Sequence, residues 1–286
     1  MVSYYDKVMK RNSLLDQYMG ICNDVLSELT TKLHKSFKTF LMETLILYMV
    51  IPGRINFLQL GRYGKSCEQR FRQNFSKDFD WCGFNLSLSD RILTGNRKAV
   101  AVDPSFISKS GKHTPWIGYF WSGAAGQSKR GLEILGIGLV DIDNNDCISL
   151  QGVQTPDSKT LESRDSNLID WYLRVLGSMK ENLQRASHYV VADAYFSRST
   201  FVEGLHGMGF ALVSRFRNDA VLFYPTLQKP TGKRGRPKLY DGRIDMANLD
   251  KSRVEKINID NGELYTLIAW SKSLKMKVRL VIWYDR

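Results

Sequence analysis

The sequence predicts an α/β fold with a helical N-terminal region and a β-rich C-terminal part. Up to about residue 50, apolar residues recur at three- and four-residue spacing, which indicates helices. After Asn96, short apolar runs alternate with helical stretches, and from Arg253 onward three strand-like runs follow one another through tight connections. These patterns predict three segments: a helical region over residues 1–95, an α/β core over 96–217 and a β-rich part over 218–286.

Two apolar runs of the core each lead to one aspartate. Residues 99–102 (AVAV) lead to Asp103, and residues 189–192 (YVVA) lead to Asp193. Such runs are typical of buried strands, inside which an unpaired charge is costly. We therefore expect both aspartates at strand ends, where they could together hold Mg²⁺. Taken singly, each aspartate could equally form a turn or cap the next helix.

These two segments, their spacing and what lies between them resemble bacterial insertion-sequence transposases of the DDE type. The resemblance implies an RNase H-like mixed sheet, in which the first two catalytic aspartates end the first and fourth strands. The matching positions here are Asp103 and Asp193. Between them the pattern predicts strands over residues 116–121 and 133–142, an extension over 147–153 and a helix over 161–185. Such a crossover would let the strand before Asp193 lie parallel to the strand before Asp103.

The resemblance also implies a site for two Mg²⁺ or Mn²⁺ ions held by three carboxylates. In the family the third is a glutamate on a helix beyond the β-rich insertion, in a motif of tyrosine, arginine, glutamate and lysine. No glutamate here matches it, because Glu203 precedes the insertion and both Glu255 and Glu263 lie inside it. We therefore expect a C-terminally truncated transposase that binds DNA but transposes poorly or not at all.

The composition favours a nucleic-acid partner. Lys and Arg number 41 against 29 Asp and Glu, which leaves a net charge of +12. A basic enzyme without such a partner is the alternative.

The four cysteines are far apart and have no zinc-site spacing. With no secretory signal and no apolar run long enough for a bilayer, we expect a cytoplasmic, nucleoid-associated protein without a membrane or small-molecule partner.

Residues 54–77 are rich in Lys and Arg and suit two short helices with a turn at residues 61–64. The second helix would carry Lys65, Ser66, Gln69, Arg70 and Arg72 on or near one face, as in a helix-turn-helix that enters a major groove. The segment resembles the N-terminal DNA-binding region of the same transposases; a solvated basic helix is the alternative. The predicted DNA contacts are Arg62, Lys65, Arg70 and Arg72.

After Asp193 the pattern predicts a helix over residues 197–208, closed by Gly209, and a strand over 210–216. Arg215 and Arg217 would then lie at the end of that strand, near the metal site and able to hold a phosphate. Ordinary surface charges would explain them equally well.

Residues 229–238 (KPTGKRGRPK) predict an exposed basic loop similar to minor-groove hooks. Its candidate contacts are Lys233, Arg234, Arg236 and Lys238, although a linker touching phosphates without sequence preference is the alternative.

Strands are predicted over residues 253–259, 264–270 and 276–284, which the resemblance explains as an insertion after the second aspartate. An insertion tryptophan stacks on an extruded base in some relatives; Trp270 is the first candidate and Trp283 the second, with core packing as the alternative.

The resemblance thus implies a transposase acting on double-stranded DNA, at transposon ends and target, as a homodimer. Two other functions fit the same fold. One is a DNA-binding remnant that occupies transposon ends or inhibits intact copies, and the other is a different RNase H-like nuclease such as a resolvase.

Overall fold

The computed structural model of the protein describes residues 13–29, 32–217, 219–228, 238–259 and 261–285. The described chain forms two compact units. The first comprises the chain up to Asp157 together with Ser178–His188, and the second comprises Ser158–Gly177 and the chain from Tyr189 onward. The units are defined by packing, so the three sequence segments proposed above remain a prediction.

The described part of the first unit begins with helices. They are α1 (Ser13–Glu28), α2 (Lys35–Val50), α3 (Phe57–Tyr63), α4 (Glu68–Phe75) and α5 (Trp81–Ile92). The helical spacing correctly predicted α1 and α2, whose residues Val25, Ile46 and Leu47 are completely buried. Helix α2 begins after His34, whose side chain accepts a hydrogen bond from the Ser36 N–H at 3.3 Å.

Helix α5 was not predicted, although the sequence contains its start signal. Asp80 is the N-cap, and its carboxylate accepts a hydrogen bond from the Gly83 N–H at 2.8 Å. The side-chain amide of Asn85 on α5 donates to the backbone oxygen of Leu150 at 2.8 Å, which joins the helix to the sheet of this unit.

That sheet is antiparallel and contains β1 (Lys98–Ser108), β2 (Gly118–Ser122), β3 (Gln127–Asp141) and β4 (Asp146–Gln154). The long strand β3 pairs with each of the other three. Buried Asp141 ends β3, and its carboxylate accepts hydrogen bonds from the N–H groups of Gly95 at 2.7 Å and Asn144 at 3.1 Å. The strands predicted between the two aspartates are therefore present, with shifted ends.

The predicted helix over residues 161–185 is wrong as one element. The structure has α6 (Ser158–Glu162), α7 (Leu168–Ser178) and α8 (Lys180–Ala186), of which α8 belongs to the first unit. The break before α7 has a local cause. Asp165 has a positive φ of 49°, and the side-chain oxygen of Asn167 accepts from the N–H groups of Ile169 at 2.9 Å and Asp170 at 3.1 Å. Asn167 therefore starts a new helix instead of continuing the old one.

The second unit contains a parallel pair of strands, β5 (Tyr189–Ala192) and β6 (Ala211–Ser214), joined by helix α9 (Ser199–Gly207). All three elements were predicted to within a few residues. Gly209 has the positive φ of 85° expected of a residue that closes a helix. A parallel pair needs such a crossover, which explains why strand, helix and strand alternate here.

A second sheet lies in the same unit and contains β7 (Leu222–Pro225), β8 (Tyr240–Arg243), β9 (Glu255–Ile259), β10 (Gly262–Ser271) and β11 (Met276–Asp285). The last three strands were predicted, whereas β7 and β8 were too short to be recognised. Its core contains Leu222, Ile244, Leu267, Ala269 and Leu280. Asp260, in the tight connection predicted between the first two of these last three strands, lies outside the described residues.

The predicted fold class is confirmed. Helices precede an α/β arrangement of antiparallel and parallel strands, and a β-rich segment follows Asp193, as an RNase H-like fold with an insertion requires. Throughout the described ranges, every helix is too short or too polar to span a bilayer.

Candidate functional site

Asp103 lies in the middle of β1. The expectation that the strand ends at this residue is wrong, because β1 continues to Ser108 and Asp103 pairs in register with Gly136 of β3. The charge is tolerated because strand side chains alternate between faces. Val100 and Val102 are buried on one face, while Asp103, Ser105 and Ile107 are exposed on the other.

The Asp103 carboxylate makes few interactions with the described part of the protein. Its one hydrogen bond among the described residues comes from the Ser105 hydroxyl, at a long 3.4 Å. No Lys, Arg or His in the described part of the chain forms an ion pair with it. An exposed, unpaired carboxylate on a strand that is otherwise packed is available to a ligand from solvent.

Asp193 follows β5 directly, as the sequence predicted. Its carboxylate accepts a hydrogen bond from the Tyr195 N–H at 3.0 Å and caps a 3₁₀ turn over Ala194–Phe196. The capping role considered for this residue is therefore real, and buried Phe196 anchors the turn. The side chain is nevertheless exposed, so its remaining lone pairs can still reach a ligand.

Arg215 lies beside Asp193 within the second unit. The register of β5 and β6 ends at Ala192 and Ser214, so the next residues of the two strands are Asp193 and Arg215. The Ser214 hydroxyl donates to the backbone oxygen of Asp193 at 2.8 Å, and the Ser197 hydroxyl donates to that of Arg215 at 3.2 Å. Arg215 and Arg217 are both exposed.

The two candidate aspartates belong to different units, Asp103 to the first and Asp193 to the second. The hydrogen bond to each carboxylate comes from a residue of the same unit, Ser105 for Asp103 and Tyr195 for Asp193.

The predicted pair of short helices is present as α3 and α4, and a buried carboxylate holds the turn between them. Glu43 of α2 accepts hydrogen bonds from the N–H groups of Lys65 at 2.7 Å and Ser66 at 2.8 Å, and from the Ser66 hydroxyl at 2.6 Å. The turn is tight, because a Cβ added to Gly64 would lie 2.7 Å from the Glu43 carboxylate, and one added to Gly61 2.9 Å from the Glu68 nitrogen.

The sequence placed Lys65 and Ser66 on the second helix, which is wrong. Helix α4 begins at Glu68, so both residues lie in the turn before it, and Ser66 is buried against Glu43. The bonds from this turn to Glu43 fix the chain outside a helix, an interaction that no local pattern indicates.

All four predicted contacts in this region, Arg62, Lys65, Arg70 and Arg72, are exposed. Arg72 is already engaged, since it pairs with Glu68 at 2.5 Å and lies over the Phe57 ring at 4.9 Å. Arg70 forms no ion pair with any described residue, so its guanidinium is the more available of the two to a phosphate.

Of the basic loop, Lys233, Arg234 and Arg236 lie outside the described residues. Lys238 is exposed and pairs with Asp241 at 3.3 Å. Asp241 also accepts from the Leu227 N–H at 3.1 Å and pairs with Arg253 at 3.0 Å. One carboxylate thus binds the chain on both sides of the basic loop.

A cleft of about 1240 Å³ lies within the second unit, between β6 and β11. Its walls carry five exposed cations, Arg215, Arg217, Arg243, Lys277 and Arg279. Arg243, Lys277 and Arg279 were not among the predicted site residues. Lys277 and Arg279 nevertheless alternate with Val278 and Leu280 in the pattern of a half-buried strand.

The two candidate tryptophans differ in exposure. Trp283 lines this cleft and is 59% exposed, whereas Trp270 is partly buried and pairs in register with Phe223. Exposure therefore favours Trp283 as a stacking side chain, opposite to the order that the sequence suggested.

Comparison with known proteins bears on most of the residues described above, but not on Glu43, Arg279 or Trp283. A family model described as DDE superfamily endonuclease matches residues 49–277, well over half of the chain, and includes both aspartates. No curated protein matches the chain. The description indicates nuclease-type chemistry on DNA, for which such enzymes typically use divalent metal ions. The chain therefore belongs to the DDE superfamily endonuclease family.

Proposed function

We propose that this chain is a DDE transposase, which binds transposon ends as double-stranded DNA and cleaves and transfers strands with divalent metal ions. The observation that carries the proposal is Asp103, an exposed carboxylate in mid-strand without an ionic partner in the described part of the chain. An unpaired charge on a packed strand is costly unless water or a ligand meets it. Asp103 and Asp193 both lie within the family match.

The donor chemistry of the two aspartates fits a hard divalent cation. Both side chains are exposed, and carboxylate oxygens are the ligands that Mg²⁺ and Mn²⁺ prefer. We therefore propose that Asp103 and Asp193 supply two ligands to a shared ion. A bound ion would activate water and stabilise negative charge on the phosphate.

Other residues of the chain would position the DNA. Arg215, adjacent to Asp193 at the strand end, and Arg217 suit the non-bridging oxygens of a phosphate. We propose that α3 and α4 contact the duplex through Arg62, Lys65 and Arg70, and that the loop before Lys238 adds further phosphate contacts. Two copies would pair on the DNA ends, at the nucleoid.

DNA binding without cleavage is the second candidate function, and one observation favours it. Among the described residues, no group of three or more His, Cys, Asp and Glu side chains forms a metal site. Two carboxylates organise one ion, whereas the two-metal reaction uses a clamp on both attacking and leaving oxygens. Such a protein would occupy transposon ends and inhibit active copies by mixed assembly.

A cleavage assay separates the two functions. Purified protein would be incubated with plasmid DNA and Mg²⁺ or Mn²⁺, in parallel with Asp103→Asn and with Asp146→Asn, an exposed aspartate on β4 of the same sheet. We expect metal-dependent nicking that Asp103→Asn lowers by more than about 100-fold while duplex affinity stays unchanged. Asp146→Asn should cleave like the parent.

Either of two results would reject the transposase proposal. Equal nicking by Asp103→Asn and the parent would remove Asp103 from the chemistry. Tight duplex binding without nicking in either metal would leave DNA binding as the function.

A further inference from the structure

The face of the first sheet that carries Asp103 continues far beyond it. Residues opposite one another in an antiparallel pair share a face, and so do alternate residues of one strand. Asp103 is opposite Gly136 of β3, and β3 carries Arg130 on the same face, opposite Tyr119 of β2. One solvent-facing surface therefore runs from Asp103 through Ser105 and Ile107 to β2.

Two aromatic side chains stand at the far end of this face. Tyr119 is 75% exposed and Trp121 is 63% exposed, while Phe120 between them is buried at 5%. The strict alternation puts both exposed rings on the same side of β2. Neither ring contributes to the core, and exposed apolar patches of this kind indicate a binding surface.

The spacing of the two rings matches one base. Alternate residues of a strand are about 6.7 Å apart along it. Stacked bases are about 3.4 Å apart, so two rings at this spacing leave room for a single planar ring between them. Base stacking on aromatic side chains is how proteins hold unpaired nucleotides.

The charge around the rings also suits an unpaired nucleotide. Lys109, Lys112 and Arg130 are exposed at this end of the sheet, and Arg130 shares the face of the two rings. The Arg130 guanidinium donates to the backbone oxygen of Gly111 at 3.2 Å, which holds the lysine-bearing loop beside β2. The nearby acid Asp157 lies against Gly118, on the face of buried Phe120 and not on that of the two rings. The surface therefore combines aromatic rings with an excess of cations, as single-strand binding surfaces do.

We propose that Tyr119 and Trp121 hold an unpaired base of a DNA strand whose backbone follows this face toward Asp103. From the β3 position opposite Tyr119 to that opposite Asp103 is six residues, or about 20 Å along the strand. That distance corresponds to roughly six stacked nucleotides. The proposal rests on the proposed function for its link to Asp103, but the binding itself can be measured without metal or cleavage.

The test is the affinity of the full chain for a labelled oligothymidylate, followed by fluorescence anisotropy in chelator. We expect the double variant Tyr119→Ala/Trp121→Ala to bind it about 10- to 100-fold more weakly. The ring-retaining variant Tyr119→Phe/Trp121→Phe should bind like the parent. Tyr48→Ala, which removes a 51%-exposed ring from α2, is the matched control and should change nothing.

Two further probes separate stacking from charge. An abasic oligomer of the same length carries the same phosphates, so the alanine variant and the parent should bind it equally weakly. A blunt duplex should also bind both equally, because its bases are already stacked.

Unchanged oligothymidylate affinity in the alanine variant would overturn the proposal, as would an equal loss for the abasic oligomer or the duplex. A variant that loses oligothymidylate selectively confirms the base site even if no nicking is ever seen. Failure of the transposase proposal, measured by nicking, is therefore distinguishable from failure of the base site, measured by oligothymidylate binding.

Discussion

At the scale of single residues, the two candidate aspartates are held in different ways. Asp193 caps a 3₁₀ turn, so its position follows from local backbone chemistry, whereas Asp103 makes only one long hydrogen bond in the described part of the chain. Asparagine caps as well as aspartate does. Asp→Asn changes at either position should therefore leave the fold intact and test the charge alone.

Asp241 gives a prediction about pH. Burial raises the pKa of its carboxyl, but hydrogen bonds from Leu227, Thr226, Lys238 and Arg253 outweigh this and lower the pKa to about 2, from 3.8. The native state therefore holds the proton less tightly than the unfolded chain. The resulting stability is fully present above pH 3.8 and is lost as the pH falls toward about 2.

We expect Asp241→Asn to lower the melting temperature at neutral pH and to have less effect as the solution approaches pH 2. Thermal unfolding followed by circular dichroism at a series of pH values would measure the difference between variant and parent. A difference that stays constant between pH 5 and pH 2 would contradict the assigned partners.

At the scale of elements, the joint between α3 and α4 depends on Glu43. This buried carboxylate accepts three hydrogen bonds from Lys65 and Ser66. Glu43→Ala leaves those donors unsatisfied, so we expect a loss of about 2–4 kcal/mol in the free energy of unfolding. Weaker binding of duplex DNA should accompany it, because the two helices lose their fixed joint.

Glu28→Ala is the matched control for this experiment. Glu28 pairs with Arg91 at 2.5 Å on the surface, so its removal should cost less than about 1 kcal/mol. Urea unfolding measures both variants. Similar losses for the two would show that Glu43 is no more than a surface contact.

The elements that the sequence predicted well are those whose signal is local. Helix α9 with its closing Gly209 and strand β5 before Asp193 follow from apolar spacing and turn residues. The errors come from longer-range contacts. Strand β1 continues past Asp103 because β3 provides a partner out to Gly131, and Ser66 stays outside α4 because Glu43, 23 positions away, holds it.

For the candidate site, too, the sequence indicated residues with a local signal and missed those that depend on the packed sheet. Asp103, Asp193 and the neighbouring Arg215 were proposed as site residues from strand-end patterns, although Asp103 is in mid-strand. The aromatic pair Tyr119 and Trp121 was seen only as part of a strand, because alternate exposure is not visible until the register with β3 is known. The exposure of Trp283 over Trp270 likewise required the packed sheet.

At the scale of the whole molecule, the net charge of +12 predicts that duplex binding weakens steeply with salt. Each phosphate contact contributes about 0.9 to the slope of log affinity against log salt concentration. We expect Arg62→Ala/Arg70→Ala to reduce that slope by about two. Lys159→Ala/Arg164→Ala removes the same charge from an exposed part of the second unit and should leave the slope nearly unchanged.

A slope that falls equally in both double variants would mean that the total charge matters and the α3–α4 pair does not. Binding titrations at several salt concentrations, on one duplex, decide between these outcomes.

We propose that Asp103 and Asp193 bind one divalent ion together, and the affinity of the protein for Mn²⁺ measures this without any cleavage. Titration calorimetry on the parent, Asp103→Asn and Asp193→Asn would be compared with Asp250→Asn, whose side chain caps another 3₁₀ turn through the Ser252 N–H at 3.0 Å. We expect both site variants to lose Mn²⁺ affinity by at least about tenfold while Asp250→Asn binds like the parent. Parent-like affinity in either Asp103→Asn or Asp193→Asn would contradict it.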